Sequence, residues 1–166
     1  MAIKQHRHPT GVRAAKSFET DSARRDFSIN SLGINRHGQV IDYQGGVEDL
    51  KNKLIKAVGD PRQRFEEDAL RILRALRFAV KLGFSIDPDT LTAAKELNHL
   101  VDSLSIERIS QELYKVASIS GPALADYLVK LDEIDLLKKI LPELKELQNS
   151  IESPEHHPEA YNDTFP

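Results

Sequence analysis

Two charged clusters carry the side chains of this sequence best suited to chemistry. The first is Arg24-Arg25-Asp26, followed by Asn30. The second is Glu67-Asp68-Ala69-Leu70-Arg71, continued by Arg74 and Arg77. Helical spacing predicts Asp68, Arg71 and Arg74 along one stripe, with Glu67 beside it. A carboxylate next to a guanidinium offers an acceptor beside donors. That pair could read the edge of a nucleotide base, and further arginines suit its phosphates. Cytosine and adenine carry an exocyclic amine beside ring acceptors. Asp68 would accept from the amine and Arg71 would donate to the acceptors. Guanine and uracil carry a carbonyl at that place, and two opposed acceptors cost about 1–3 kcal/mol. The same residues admit a plainer reading. Glu67 and Arg71 are spaced as an i,i+4 ion pair, and alternating charge is what a solvated helix face carries. Arg24-Arg25-Asp26 could be a capped turn with a surface ion pair.

These side chains need a scaffold, and 166 residues suffice for one domain or two small ones. The absence of cysteine excludes a disulfide framework and a thiolate metal site, and fits a cytoplasmic setting. No apolar run is long enough to span a membrane, and the polar start Met1 to Pro9 lacks a signal-peptide core. The net charge of −3 is unevenly spread. Residues 1–60 hold ten Lys/Arg against seven Asp/Glu, whereas residues 121–166 hold four against ten. A polyanion would be met at the N-terminal part or along the arginine cluster.

Asp21 is placed to cap a turn through Arg24, and Asp26 one from Phe27 to Ser31. Residues 32–35 and 39–43 read as strands about an Arg36-His37-Gly38 turn. Residues 47–50 read as a helical turn and 54–58 as a last strand. Asp60-Pro61 opens a helical stretch with Ala69, Ile72, Leu73, Leu76, Ala79 and Val80 on one face, ended by Gly83. Further helices are expected from Asp87-Pro88, from Ser105, from Gly121-Pro122 through Leu131, around Leu136 to Leu141, and over 143–151. Asp87-Pro88-Asp89 reads as a helix cap. The expected class is α+β, predominantly helical: a short mixed piece, then helices from about residue 60.

Taken together the motifs resemble a known family. Arg24-Arg25-Asp26-Phe27-Ser28-Ile29-Asn30-Ser31-Leu32 is similar to the RRDF(T/S)IN(A/S)L motif of class II tRNA nucleotidyltransferases (CCA-adding enzymes) and poly(A) polymerases. Asp42 to Leu50, with Gly45-Gly46 and Asp49, resembles a second motif. Ala57 to Pro61, Arg64-Phe65 and the run from Glu67 to Phe78 resemble the nucleotide-selecting helix. Ser105 to Leu113, with Glu107-Arg108 and Glu112, resembles the next. The resemblance implies that Arg25, Asp26 and Asn30 hold the ribose and phosphates of CTP or ATP. It implies that Asp68 and Arg71 read the base with Glu67 orienting Arg71, and that Arg74 and Arg77 support phosphates or brace the pocket. It implies the C-terminal part of a nucleotidyltransferase palm, or head, in 1–59, with short strands and a hairpin. A helical, RNA-binding neck would occupy 60–120, and 121–166 would begin a helical body that grips the acceptor end of tRNA. The motifs are shared by enzymes adding CCA, A, CC or poly(A).

The departures are as informative. The family's Gly-rich GG-x-x-RD loop and palm Asp-x-Asp pair, which hold two Mg²⁺ ions, do not occur, so no catalytic and no metal residue is expected in this chain. The expectation is a chain inactive alone, a truncated or split enzyme that would need a separate palm segment. The rival expectation is a non-catalytic RNA-binding helical module. His156-His157-Pro158-Glu159 resembles the start of an HD-type metal phosphohydrolase domain, although a polar terminus explains it as well.

Overall fold

The computed structural model describes residues 17–152. Ser17, not Asp21, caps α1 (Phe18–Ser22), its hydroxyl accepting from the Thr20 amide at 3.3 Å. A 3₁₀ turn, Ser28–Asn30, follows. The expected hairpin is present as β1 (Gly33–Ile34) and β2 (Val40–Ile41), antiparallel, with Ile34 opposite Val40. Asn35 makes its turn, the side-chain oxygen accepting from the amides of His37 and Gln39. Asp42 receives the amides of Gln44, Gly46 and Val47 at the start of α2 (Gly46–Lys51). Burial works to raise the Asp42 pKa, but these amides outweigh it and hold the carboxyl below its ordinary range. A Cβ at position 46 would strike the Ser28 carbonyl, so glycine lets α2 lie on the 3₁₀ turn.

β3 (Leu54–Ile55) is not a last strand. It pairs in parallel with β4 (Ser85–Ile86), a strand inside the region expected to be all helical. The amides of Ser85 and Asp87 donate to the carbonyls of Lys53 and Ile55. On the other side Ser28 donates to Lys56, and Val58 to Asp26, with Phe27 opposite Ala57. A two-residue strand has too few positions to show a period, so β4 leaves no trace in the hydrophobic pattern.

The helical stretch from Pro61 is two helices, α3 (Pro61–Glu67) and α4 (Leu70–Leu82). The chain breaks at Asp68, which is extended at φ −156°, ψ 103°. Its carboxylate accepts from the Leu70 amide at 3.1 Å, a local bond that competes with helix continuation. The single stripe through Asp68, Arg71 and Arg74 is therefore corrected: Asp68 lies off the helical lattice. Gly83, at φ 63°, ends α4 as expected.

The remaining helices are α5 (Pro88–Glu96), α6 (Ile106–Ala117), α7 (Gly121–Glu133), α8 (Leu137–Ile140) and α9 (Pro142–Glu152). Asp87 caps α5, accepting from the Thr90 amide. One face of α4, with Ile72, Leu73 and Leu76, packs with Val116 of α6 and Tyr127 and Leu131 of α7. Its other face is small: Ala75 and Ala79 receive Phe27, Ile29 and Ile55. α4 is thus the shared wall of two cores, one binding the helices and one binding the N-terminal segment. The class is α+β and predominantly helical, as expected. The His156-His157 lead lies outside the described residues.

Candidate functional site

The loop after α1 is pinned across the α3–α4 break. Arg64 donates to the Ala23 carbonyl and Arg71 to the Arg24 carbonyl, each at 3.1 Å. Glu67 lies between these two arginines, accepting from Arg64 at 2.7 Å and Arg71 at 3.0 Å. Arg71 also donates to the Arg64 carbonyl. Further along α4, Arg74 donates through Nε and Nη2 to Asp26 Oδ2, at 2.8 and 2.6 Å. The other Asp26 oxygen accepts from the Phe27 amide and the Asn30 side chain. Arg25 pairs with Asp21 and donates to the Asn30 carbonyl at 2.9 Å.

Between loop and helix opens a cleft of about 760 Å³. Six of the eight residues singled out from the sequence line it: Arg25, Asp26, Asn30, Asp68, Arg71 and Arg74. Glu67 does not line it but holds Arg71. Arg77 is buried and donates to Glu112 Oε2 at 2.6 Å, a place suited to bracing. The side chains of Asp68 and Arg71 share the cleft without bonding each other, although the Arg71 amide donates to the Asp68 carbonyl at 3.1 Å. Asp68 is held instead by Arg108 of α6, whose Nη2 lies 3.0 Å from both carboxylate oxygens.

Sequence reasoning left out three participants. Arg24 lines the cleft, is exposed, and among the described residues has no side-chain partner. The other lining arginines face carboxylates, so Arg24 leaves the cleft with unbalanced positive charge. Its place inside the first motif was the available signal. Phe78 forms part of the wall, its ring under Arg74 at 5.4 Å and Arg77 at 4.3 Å. Its i,i+4 spacing from Arg74 would have indicated it. Arg108 stands within the Ser105–Leu113 motif, but no spacing signals its contact with Asp68, which is set by the packing of α6. Surplus cation, an aromatic wall, a carboxylate and guanidinium donors form a chemistry for an anionic ligand with a polar, flat ring.

Among the described residues no group of three His, Asp or Glu side chains could hold a metal ion, and no helix is long and apolar enough to cross a membrane. Residues 1–56 match the family described as the poly A polymerase head domain. Residues 83–148 match the probable RNA and SrmB-binding site of polymerase A. The CCA-adding enzyme of Anoxybacillus flavithermus is 42% identical over 141 residues, 85% of this chain and 35% of that protein. That of Limosilactobacillus fermentum is 48% identical over 110 residues, 66% of this chain and 28% of that one. The chain thus spans about a third of the length of the curated relatives it matches. Among solved structures, the Bacillus stearothermophilus CCA-adding enzyme in complex with CTP matches with a TM-score of 0.73 and 37% identity, covering 82% of this chain and 35% of that one. The Thermotoga maritima CCA-adding enzyme complexed with tRNA matches at 0.68 and 30% identity, covering 75% and 31%. With both segments matched in order and the motif residues gathered into one cleft, the chain belongs to the CCA-adding enzyme and poly(A) polymerase family.

Proposed function

We propose that this chain carries the nucleotide-selecting cleft of a tRNA nucleotidyltransferase, which adds CMP and AMP from CTP and ATP to the 3′ end of tRNA. The observation that carries the reading is the cleft itself, where Asp26 and Arg74, distant in sequence, close on each other beside Asp68 and Arg71. Residues 1–59 form part of the head, 60–120 the neck and 121–166 the start of the body, whose helices face the acceptor end of tRNA.

The hydrogen-bond inventory fits the base chemistry. Arg71 has spent both Nη1 protons and one on Nη2. Its Nε–H and one Nη2–H remain. Those two donors suit the acceptors of cytosine or adenine, while Asp68 accepts from the amine. Arg24 and Arg25 supply cations for phosphate oxygens, and Asp26, whose two oxygens already accept from Arg74, Phe27 and Asn30, orders the wall from which the side-chain oxygen of Asn30 meets the ribose. Mg²⁺, which the family resemblance implies, supplies phosphate neutralisation and hydroxyl activation. The side chains that line the cleft act in selection and orientation of the nucleotide.

The test is a set of NMR titrations of the chain with CTP, ATP, GTP and UTP. The expected order is CTP and ATP ahead of GTP and UTP. Arg25→Ala should weaken all four alike, since phosphate contacts carry no base information. Asp68→Ala should end the lead of CTP and ATP over GTP and UTP. Equal binding of all four nucleotides by the unmodified chain would overturn the reading.

A further inference from the structure

The carboxylate of Asp68 lines the cleft already engaged. Oδ1 accepts from the Leu70 amide at 3.1 Å, and Arg108 Nη2 lies 3.0 Å from both oxygens. An ionised carboxylate has about four lone-pair sites. These contacts use three, and the one left belongs to Oδ2. No helical turn aims this side chain, because Asp68 sits in the break between α3 and α4, and the Leu70 amide holds only one of its oxygens. Arg71 and Arg74 line the same cleft and compete for any carboxylate set loose in it. The hold on both oxygens together comes from another helix. Arg108 stands in the first turn of α6, and one turn on, Glu112 keys α6 to α4 through its buried bond with Arg77.

Resting on the proposed reading of the cleft, we infer that Arg108 is a specificity-determining positioning residue. It holds Asp68 so that a single acceptor site meets the base, and this sets the preference for bases that carry an amine there. Arg108 does not touch the base while Asp68 covers it. With Asp68 gone, its guanidinium becomes an unpaired donor at the same place, and a donor complements the carbonyl of uracil or guanine. Asp68→Ala should therefore tilt the preference toward UTP and GTP, and removing Arg108 as well should return it to neutral.

The experiment uses the full chain with CTP, UTP, ATP and GTP as probes, and measures four dissociation constants for each of five proteins. These are the unmodified chain, Asp68→Ala, Arg108→Ala, Arg108→Lys and Asp68→Ala with Arg108→Ala. Arg108→Ala should cut the CTP-over-UTP ratio roughly tenfold, the scale of one mispaired polar contact. Arg108→Lys, which keeps a cationic donor, should recover part of it. Arg108 is 45% exposed, so its removal should leave the fold intact. If it does not, Arg108→Gln carries the same expectation. An equal loss for all four nucleotides in Arg108→Ala, with the ratio kept, would mark a structural ion pair and overturn the inference. So would a full CTP preference in Arg108→Ala alongside its loss in Asp68→Ala, with the reading of the cleft left standing. An unmodified chain without any preference would overturn both.

Discussion

Glu112 is the most deeply buried charge among the described residues, its side chain 1% exposed between Arg77 at 2.6 Å and Lys115 at 2.8 Å. Burial alone would raise its pKa, but Lys115 and Arg77 together hold the carboxyl below its ordinary value. A depressed folded pKa means stability that is complete above the unfolded value of 4.5 and is lost as pH falls through the lower folded value. Urea midpoints of the unmodified chain should therefore fall as pH drops below 4.5, and in Glu112→Ala this part of the pH dependence should be missing. That variant also leaves Arg77 as a buried cation without its carboxylate, which should cost about 3–5 kcal/mol of unfolding free energy. A loss under ~1 kcal/mol would show that the guanidinium finds water instead. At this scale, the sequence revealed identities and not partners. Arg25, Asp26 and Asn30 could be singled out because their types and spacing are local. That Asp68 would turn from Arg71 to Arg108, and Arg77 from the cleft to Glu112, depended on where α6 packs, which no local spacing encodes.

Helices announced themselves where the chain carries its own start and stop signals. Asp60-Pro61, Asp87-Pro88 and Ser120-Gly121-Pro122 each join a side-chain cap to a proline in the first turn, and each begins a helix. Gly83 stops α4 in the left-handed region at φ 63°. Gly83→Ala should destabilise the chain by about 1–2 kcal/mol, the cost of a Cβ in that conformation, and Gly83→Asn by less. Equal denaturation midpoints for Ala and Gly would mean the loop relaxes to another path. The break at Asp68 was hidden because apolar periodicity runs on from Phe65 through Ala69 and Ile72. The periodic signal reports which side chains face the core, and both helices face the same one. β4 was hidden for the opposite reason, since it is paired through backbone groups that every sequence has.

For the molecule as a whole, the hairpin exposes a cluster of apolar side chains among the described residues. Ile34 is 76% exposed, Val40 opposite it 58% and Tyr43 52%. Such a cross-strand pair on a two-stranded hairpin invites association. Light scattering over a dilution series should show self-association that Val40→Lys suppresses; a monomer at every concentration would remove the hairpin as the contact. Because the metal-holding motifs of the family do not occur in this sequence, the chain alone should leave tRNA lacking its CCA end unextended in labelled CTP, ATP and Mg²⁺. Incorporation above background would require metal-holding carboxylates elsewhere in the chain. The backbone ladder joining 26–28, 53–58 and 85–87 bears on time as well as shape. The loop holding Asp26 is hydrogen-bonded to the strand that leads into α3, and that strand to the one that leaves α4. The two jaws of the cleft thus grow from one hydrogen-bonded ladder, which opposes their swinging apart. A nucleotide arriving there waits for no closure. Its observed association rate should rise linearly with nucleotide concentration in stopped-flow measurements, whereas a plateau would reveal a slow gate that the ladder fails to prevent.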